Sequence, residues 1–229
     1  MQTVLDPCYK MGIFKQELKN RFLGEVEIDG ESTVCYVPSS CHLSNFLRLK
    51  GKRVLLLPNQ SKNTRTQYAL FAVPFKKSYI ILNPSLANKA VENNIHSRRF
   101  SFLGKRSHVI KEHYINGYKS DLFIQDTNTI IEIKSVLSTE KLAFFPTVFS
   151  ERAINQLEDL MWFLRNGYTV HYCIVSLSPY VNEVHILDNS PFTDSLKKCI
   201  EQGMTLSAFS SRLKEGRVVI DKRINTRID

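Results

Sequence analysis

The strongest constraint on this chain lies in residues 117–137, where two apolar runs, Leu122–Ile124 and Thr129–Val136, flank the polar turn Gln125–Asn128. Short apolar runs around an Asp/Asn-containing turn predict a β-hairpin. Strand side chains alternate between faces, so Ile131 and Ile133 share one face and Glu132 and Lys134 the other. So apolar a strand belongs in the middle of a sheet, covered on both sides. A carboxylate and an ammonium then sit on a covered face, where an unpaired charge is expensive. Asp121, at the start of the facing strand, adds a second carboxylate instead of a counter-charge. Neighbouring carboxylates repel unless one takes a proton or a cation lies between them. Mg2+ or Mn2+, hard divalent cations, suit oxygen ligands of this kind. A solvated pair on an exposed strand is the competing reading of Glu-x-Lys.

The order Asp121, short hairpin, Glu132-x-Lys134 resembles the active site of the PD-(D/E)xK nuclease superfamily. That resemblance implies that the two acids hold a metal ion and that Lys134 positions or activates the attacking water. Glu112, the nearest upstream acid, is the candidate for a third carboxylate.

Charge points to the same class of partner. Residues 1–110 hold 17 Lys+Arg against 7 Asp+Glu, a net of +10, whereas residues 111–229 hold 14 against 15, a net of −1. A basic front half suits a polyanion, most commonly nucleic acid, although a basic surface without a ligand fits the count too. DNA is the expected partner, and nothing in the sequence separates it from RNA. A homodimer is left open. No apolar run approaches the ~20 residues of a membrane span, and no signal-peptide pattern opens the chain. A cytoplasmic protein without a membrane partner is therefore expected. The five cysteines, Cys8, Cys35, Cys41, Cys173 and Cys199, are odd in number and form no Cys-x-x-Cys, so free thiols are expected.

Residues 1–83 read as a β-rich unit. Arg21–Ile28 and Ser32–Val37 flank the turn Asp29-Gly30-Glu31, Arg53–Leu57 follows Lys50-Gly51-Lys52, and Gln67–Val73 pairs with Ser78–Leu82. Five short strands suit a small barrel, for which an oligonucleotide/oligosaccharide-binding (OB) barrel is one candidate. Lys19, Arg21, Lys50, Lys52, Arg53, Lys62 and Arg65 would lie near its rim, the last two in a polar loop, Asn59–Gln67. The boundary falls at Pro84, which opens a helix over Ser85–Asn94. In His96–Arg106, basic residues interleave with Phe100 and Phe102, a pattern that binds phosphates and stacks bases, or else simply splits into surface and core.

Residues 84–229 read as an α/β unit around a mixed sheet. Ser150 is placed to cap a helix over Glu151–Asn166 whose apolar stripe runs through Leu157, Leu160 and Leu164. Arg152 and Gln156, four apart, lie on one side of it, set to contact a phosphate together. Strands follow at Tyr168–Leu177 and Glu183–Leu187, a helix at Ser190–Gln202 and a last strand at Met204–Phe209. Beyond Arg212 the patterning is weak, with Arg217–Ile220 an expected edge strand.

Several blocks in order resemble the sugar fermentation stimulation protein A (SfsA) family, over about residues 15–210. They are Asn20-Arg21-Phe22-Leu23 with Asp29-Gly30, Tyr36-Val37-Pro38-Ser39, Asn83 with Leu86-Ala87-Asn88, Glu112, Lys119-Ser120-Asp121-Leu122-Phe123, Glu132-Ile133-Lys134-Ser135-Val136, Phe145-Pro146 and Ser150-Glu151-Arg152. The resemblance implies an N-terminal OB-like domain (1–83), a C-terminal nuclease-like domain (84–229), DNA binding linked to sugar metabolism, and a nuclease site. Three positions depart from it. Thr147 replaces an Asp, Gln156 replaces a His, and Pro38-Ser39-Ser40-Cys41 replaces a Pro-Asn block.

Two functions follow as expectations. One is a Mg2+- or Mn2+-dependent deoxyribonuclease using Asp121, Glu132, Glu112 and Lys134, with Lys119, Arg152 and Gln156 on the nucleic acid. The other is a non-catalytic DNA-binding regulator of sugar metabolism with a vestigial metal site. An RNA- or sugar-binding module is a third possibility, since such barrels bind both.

Overall fold

A computed structural model describes residues 9–38, 42–45, 47–59, 65–148, 150–188 and 190–229. The first sheet contains β1 (Lys10–Glu17), β2 (Leu23–Ile28), β3 (Glu31–Tyr36), β4 (Arg53–Pro58), β5 (Tyr68–Phe75) and β6 (Ser78–Ile81). Its order is β3-β2-β1-β4-β5-β6, and β3 also pairs with β5 at Tyr36 and Ala69. The first five strands thereby close into an OB-type barrel, and β6 hangs on β5 outside the circuit. Five strands are expected from the sequence, but a different five. Ser78–Leu82 is not part of the closed ring, and β1 is not foreseen.

Gly12 is what disguises β1. Glycine weakens a strand reading, yet here a Cβ would stand 2.4 Å from Val26 Cγ1 and 2.9 Å from the Glu27 carbonyl oxygen. Only a residue without a side chain lets β1 lie this close to β2. Phe14, Val26, Cys35, Val54, Leu56, Leu70 and Val73 fill the interior.

The chain then runs through α1 (Leu86–Asn94), a 3-10 turn (Arg98–Leu103), β7 (Val109–Ile115), β8 (Tyr118–Ile124), β9 (Thr129–Val136) and β10 (Leu142–Phe145). After these come α2 (Glu151–Arg165), β11 (Thr169–Ser176), β12 (Glu183–Ile186), α3 (Pro191–Glu201), β13 (Thr205–Lys214) and β14 (Arg217–Ile228). The eight strands form one mixed sheet of order β10-β12-β14-β13-β11-β9-β8-β7. β9, β11 and β13 run parallel, while the β7–β8–β9 hairpins and the β13–β14 pair are antiparallel. The last strand of the sequence reading continues to Lys214. The expected edge strand at Arg217–Ile220 is a twelve-residue strand between β12 and β13.

β9 sits between β8 and β11 and is covered on both faces. On one side Leu157, Leu160 and Phe163 of α2 and Leu196 of α3 pack over Ile130, Tyr172 and Ile174. On the other, Ala87, Ala90 and Val91 of α1 pack with Ile131, Ile133, Val175 and Phe209. Leu55, Phe71, Ala72 and Ile81 of the first sheet belong to that same cluster, so barrel and second sheet share a core. The Ile81 amide also donates to the Leu177 carbonyl at 2.9 Å. Phe100 is fully buried, its ring centroid 4.8 Å from that of Phe209. Arg99 donates to the Asp221 carbonyl and Arg106 to the Ile95 carbonyl. Phe100 therefore packs in the core, and these two arginines hold backbone. No helix among the described residues is long and apolar enough to cross a membrane.

Candidate active site

The site opens where the β8–β9 ladder stops. The two strands pair from Ile124/Thr129 to Leu122/Ile131. Past that point Asp121 Oδ2 takes the Ile133 amide at 2.7 Å, a side chain standing in for a strand. Asp121 Oδ1 accepts from Asn88 Nδ2 of α1 at 2.7 Å.

Glu132, the next outward residue of β9, is 2% exposed. Its Oε1 accepts from Lys134 Nζ and from Gln156 Nε2, each at 2.6 Å, and its Oε2 from the Tyr118 hydroxyl at 2.6 Å. Lys134 Nζ also donates to the Gln156 amide oxygen. Burial pushes the Glu132 carboxyl above the usual carboxylate range. Asp121 pushes the same way, while Lys134 and the Tyr118 hydroxyl pull it back. Burial, with the Glu132 charge behind it, also holds the Tyr118 phenol well above its ordinary value.

These groups form the floor of a cleft of about 850 Å³. Glu112, Lys119, Asp121, Glu132, Lys134, Arg152 and Gln156 all line it, so the fold gathers every residue of the second half that the sequence nominates. They do not all take the expected places. Glu112 sits at φ +47° in β7, an unfavourable backbone for a residue with a side chain, and its exposed carboxylate pairs with Lys119 Nζ at 2.8 Å. Among the described residues no three His, Cys, Asp or Glu side chains are grouped to hold a metal ion, so Glu112 does not join the other two acids. Gln156 is not beside Arg152 on a phosphate but inside the Glu132–Lys134 cluster. Arg152 stays exposed at the rim.

The barrel cations divide between two ends. β1 and β4 are antiparallel with Ile13 opposite Arg53. The β1–β2 loop with Arg21 and the approach to β4 with Lys50, Lys52 and Arg53 therefore lie at one end. Arg65 precedes β5 at the other end, and Lys62 lies outside the described residues. Lys50, Lys52, Arg53 and Arg65 are exposed, and of the described residues of the first half only Pro84 lines the cleft.

Two residues that hold the acids in place escape the sequence reading. Asn88 orients Asp121 from α1, and Tyr118 caps Glu132 from three residues before Asp121. Asn88 stands in the Leu86-Ala87-Asn88 block and Tyr118 beside the Asp121 block, which is the only local signal either carries. The donor chemistry fits a hard divalent cation. Two carboxylates on adjacent strands, one of them desolvated, face an open cleft, and Mg2+ commonly takes one or two protein carboxylates with waters and phosphate oxygens.

Comparison with known families separates the chain where its two sheets meet. Residues 18–82 match the model described as SfsA N-terminal OB domain, and residues 85–217 match that described as sugar fermentation stimulation protein RE domain. The chain belongs to the sugar fermentation stimulation protein family. A sugar fermentation stimulation protein homolog from Ruminiclostridium cellulolyticum is 25% identical over 226 residues, covering 96% of this chain and 97% of that one. Another from Natranaerobius thermophilus is 28% identical over 216 residues, covering 88% and 87%. The fold is that of the Pyrococcus furiosus SfsA structure, solved in complex with Ca2+, with a TM-score of 0.82 and 18% identity over 99% of this chain and all of that one.

Proposed function

We propose that this member of the family binds DNA and hydrolyses phosphodiester bonds with the help of a divalent metal ion. The observation that carries the reading is Glu132, a 2%-exposed carboxylate kept beside Asp121 and Lys134 at the floor of an open cleft. Burying a carboxylate next to another one is a poor way to gain stability, and groups so perturbed in a cleft concentrate where chemistry is done. The Ca2+ of the Pyrococcus furiosus relative supports divalent-cation binding by this fold.

Asp121 and Glu132 would hold Mg2+ or Mn2+, which when bound lowers the pKa of a water and neutralises phosphate oxygens. Asn88 and the Ile133 amide fix the Asp121 carboxylate, while Tyr118 and Gln156 fix that of Glu132. Lys134 orients the attacking water and offsets charge that develops on the phosphate. Lys119 and Arg152, at the rim, hold flanking phosphates. The basic end of the barrel (Arg21, Lys50, Lys52, Arg53) adds sequence-independent affinity. Among the described residues, Cys35, Cys173 and Cys199 are buried free thiols, which suit a reducing cytoplasm.

Supercoiled plasmid and a labelled oligonucleotide incubated with Mg2+ or Mn2+ test this. Lys134→Ala should lower the rate by ~10²-fold or more. Wild type that cuts no faster than a Glu132→Ala, Lys134→Ala double variant rules catalysis out.

One observation favours a non-catalytic DNA-binding regulator instead. All four oxygens of Asp121 and Glu132 already accept hydrogen bonds from protein donors. A site closed on itself in this way predicts salt-dependent DNA binding without cleavage.

A further inference from the structure

A second pocket, of about 440 Å³, lies on the far side of Tyr118 from the cleft. Its walls are the Asn116-Gly117 turn, Asp159, Trp162 and Phe163. Tyr118 is the partition: its ring lines the pocket and its hydroxyl holds Glu132 in the cleft. We propose that this pocket receives one unpaired nucleobase bearing an exocyclic amine, from a single strand whose backbone runs on through the cleft. The inference rests on the nucleic-acid reading above and adds a base-binding subsite to it.

Four features carry it. Trp162 is 46% exposed, and its one described ring contact is edge-on, to Phe163 at 90° and 5.1 Å, so a flat aromatic face is left for stacking. Bases of single strands are held by stacking on aromatic rings and by hydrogen bonds to their edges. Second, the described residues that line the pocket include no Lys or Arg. Its polar groups are the Asp159 carboxylate and the Asn116 amide, a poor surface for a phosphate and a good one for an amino group. Third, the phosphate-binding side chains are next door. Arg152, Gln156 and Asp159 lie on one stripe of α2, and the ten steps from Arg152 to Trp162 rise ~15 Å along the helix. Cleft and pocket therefore form one path of a few nucleotides along α2 and the start of β8. Fourth, the wall opposite Trp162 is a tight two-residue hairpin turn with positive φ at Asn116 (+47°) and Gly117 (+81°). A Cβ at Gly117 would meet nothing within 4 Å, so this wall is open beside the turn.

Trp162 is the only tryptophan of the chain, so tryptophan emission, excited at the red edge where the tyrosines do not absorb, reports this site alone. The full chain is titrated in EDTA with unlabelled oligo-dA, oligo-dC and oligo-dT, and in parallel by anisotropy with the same strands carrying a terminal fluorophore. Tryptophan emission should be quenched over the concentration range in which anisotropy reports binding. Oligo-dT, which lacks an amine, should bind roughly fivefold more weakly. Trp162→Ala should lower affinity about tenfold or more and Trp162→Phe should restore most of it. Asp159→Asn should remove the preference for dA and dC over dT. Binding with unchanged emission, or unaltered affinity in Trp162→Ala, overturns the subsite and leaves the nuclease reading intact. Failure of every single strand to bind overturns the subsite, and failure of a labelled duplex to bind as well, with Mg2+ present, overturns the nucleic-acid function with it.

Discussion

Replacing Lys134 with methionine isolates the electrostatics of the cleft floor. The ammonium lies 2.6 Å from Glu132 Oε1, with the lysine side chain 26% exposed and that of the glutamate 3%. Removing one partner of a fully buried pair costs ~3–5 kcal/mol, because the other charge stays behind without its counter-ion. Water reaches about a quarter of this lysine, so ~2–3 kcal/mol is expected for Lys134→Met. Adding Glu132→Gln removes the stranded charge and the repulsion from Asp121, while the amide keeps partners in Tyr118 and Gln156. The Lys134→Met, Glu132→Gln double variant should therefore return to within about 1 kcal/mol of wild type, a recovery of ~1–2 kcal/mol. For a chain of this size, with a urea slope of ~2–3 kcal/mol/M, the single variant unfolds ~1 M earlier and the double variant near the wild-type midpoint. Urea denaturation at pH 7.5, followed by circular dichroism, reads both. Mg2+ should raise the midpoint of Lys134→Met, a cation taking the place of the ammonium. A single variant as stable as wild type, or a double variant no better than the single, refutes the desolvated pair and the functional reading built on it.

Three further outcomes follow from the same structure. His171 is buried between Thr205 Oγ1 (2.7 Å) and Ser207 Oγ (2.8 Å), and burial, with Arg223 nearby, holds its imidazole down to about 3. The unfolded chain, with an ordinary value of ~6.5, binds the extra proton between those limits, so stability falls as pH drops from ~6.5 toward 3, by ~2 kcal/mol at pH 5. Urea midpoints at pH 7.5 and 5 should show this loss for wild type and lack it for His171→Gln, a subtraction that also cancels the opposite contribution of Glu132. Phe100→Ala should cost ~3–5 kcal/mol in thermal or urea unfolding, because the ring lies in the cluster shared by barrel and second sheet. Lys52→Ala and Arg53→Ala should each weaken DNA binding alike on all sequences and reduce the log–log salt slope by about 1, measured by anisotropy over a salt series. An unchanged slope removes that end of the barrel from the interface.

The hairpin at residues 118–136 was legible because its alternation is local. Ile131 and Ile133 against Glu132 and Lys134 state a two-faced strand without reference to the rest of the chain, and β9 spans the residues expected of it. Ser150 as a helix cap is equally local, and it does accept the Ala153 amide. β14 is the contrary case. Its buried residues are Val218, Ile220 and Ile224, and the ladder to β13 shifts between Ser210/Lys222 and Ser211/Ile220, leaving Asp221 over as a bulge. Val218, Ile220 and Ile224 keep even spacing, but exposed Lys222 stands at the in-phase position beside the bulge, so the apolar alternation stops after Ile220 and a strand inside the sheet reads as a frayed tail. β1 was hidden for a different reason, since Gly12 is required by the approach of β2, which no neighbour in sequence reveals.

Pattern and electrostatics along the chain are enough to say which charged groups are costly to bury, and hence where to look: Asp121, Glu132 and Lys134. What each of them touches comes from the packing of distant elements. Asn88, Tyr118 and Gln156 lie 33, 14 and 24 residues from the carboxylates that they hold, and Glu112 is drawn to Lys119 instead of to the other acids. Hydrogen bonds over such separations depend on how helices seat on a sheet, a result of packing summed over the whole core. Periodicity of a strand carries the faces of its own side chains and nothing of the partners that arrive from elsewhere.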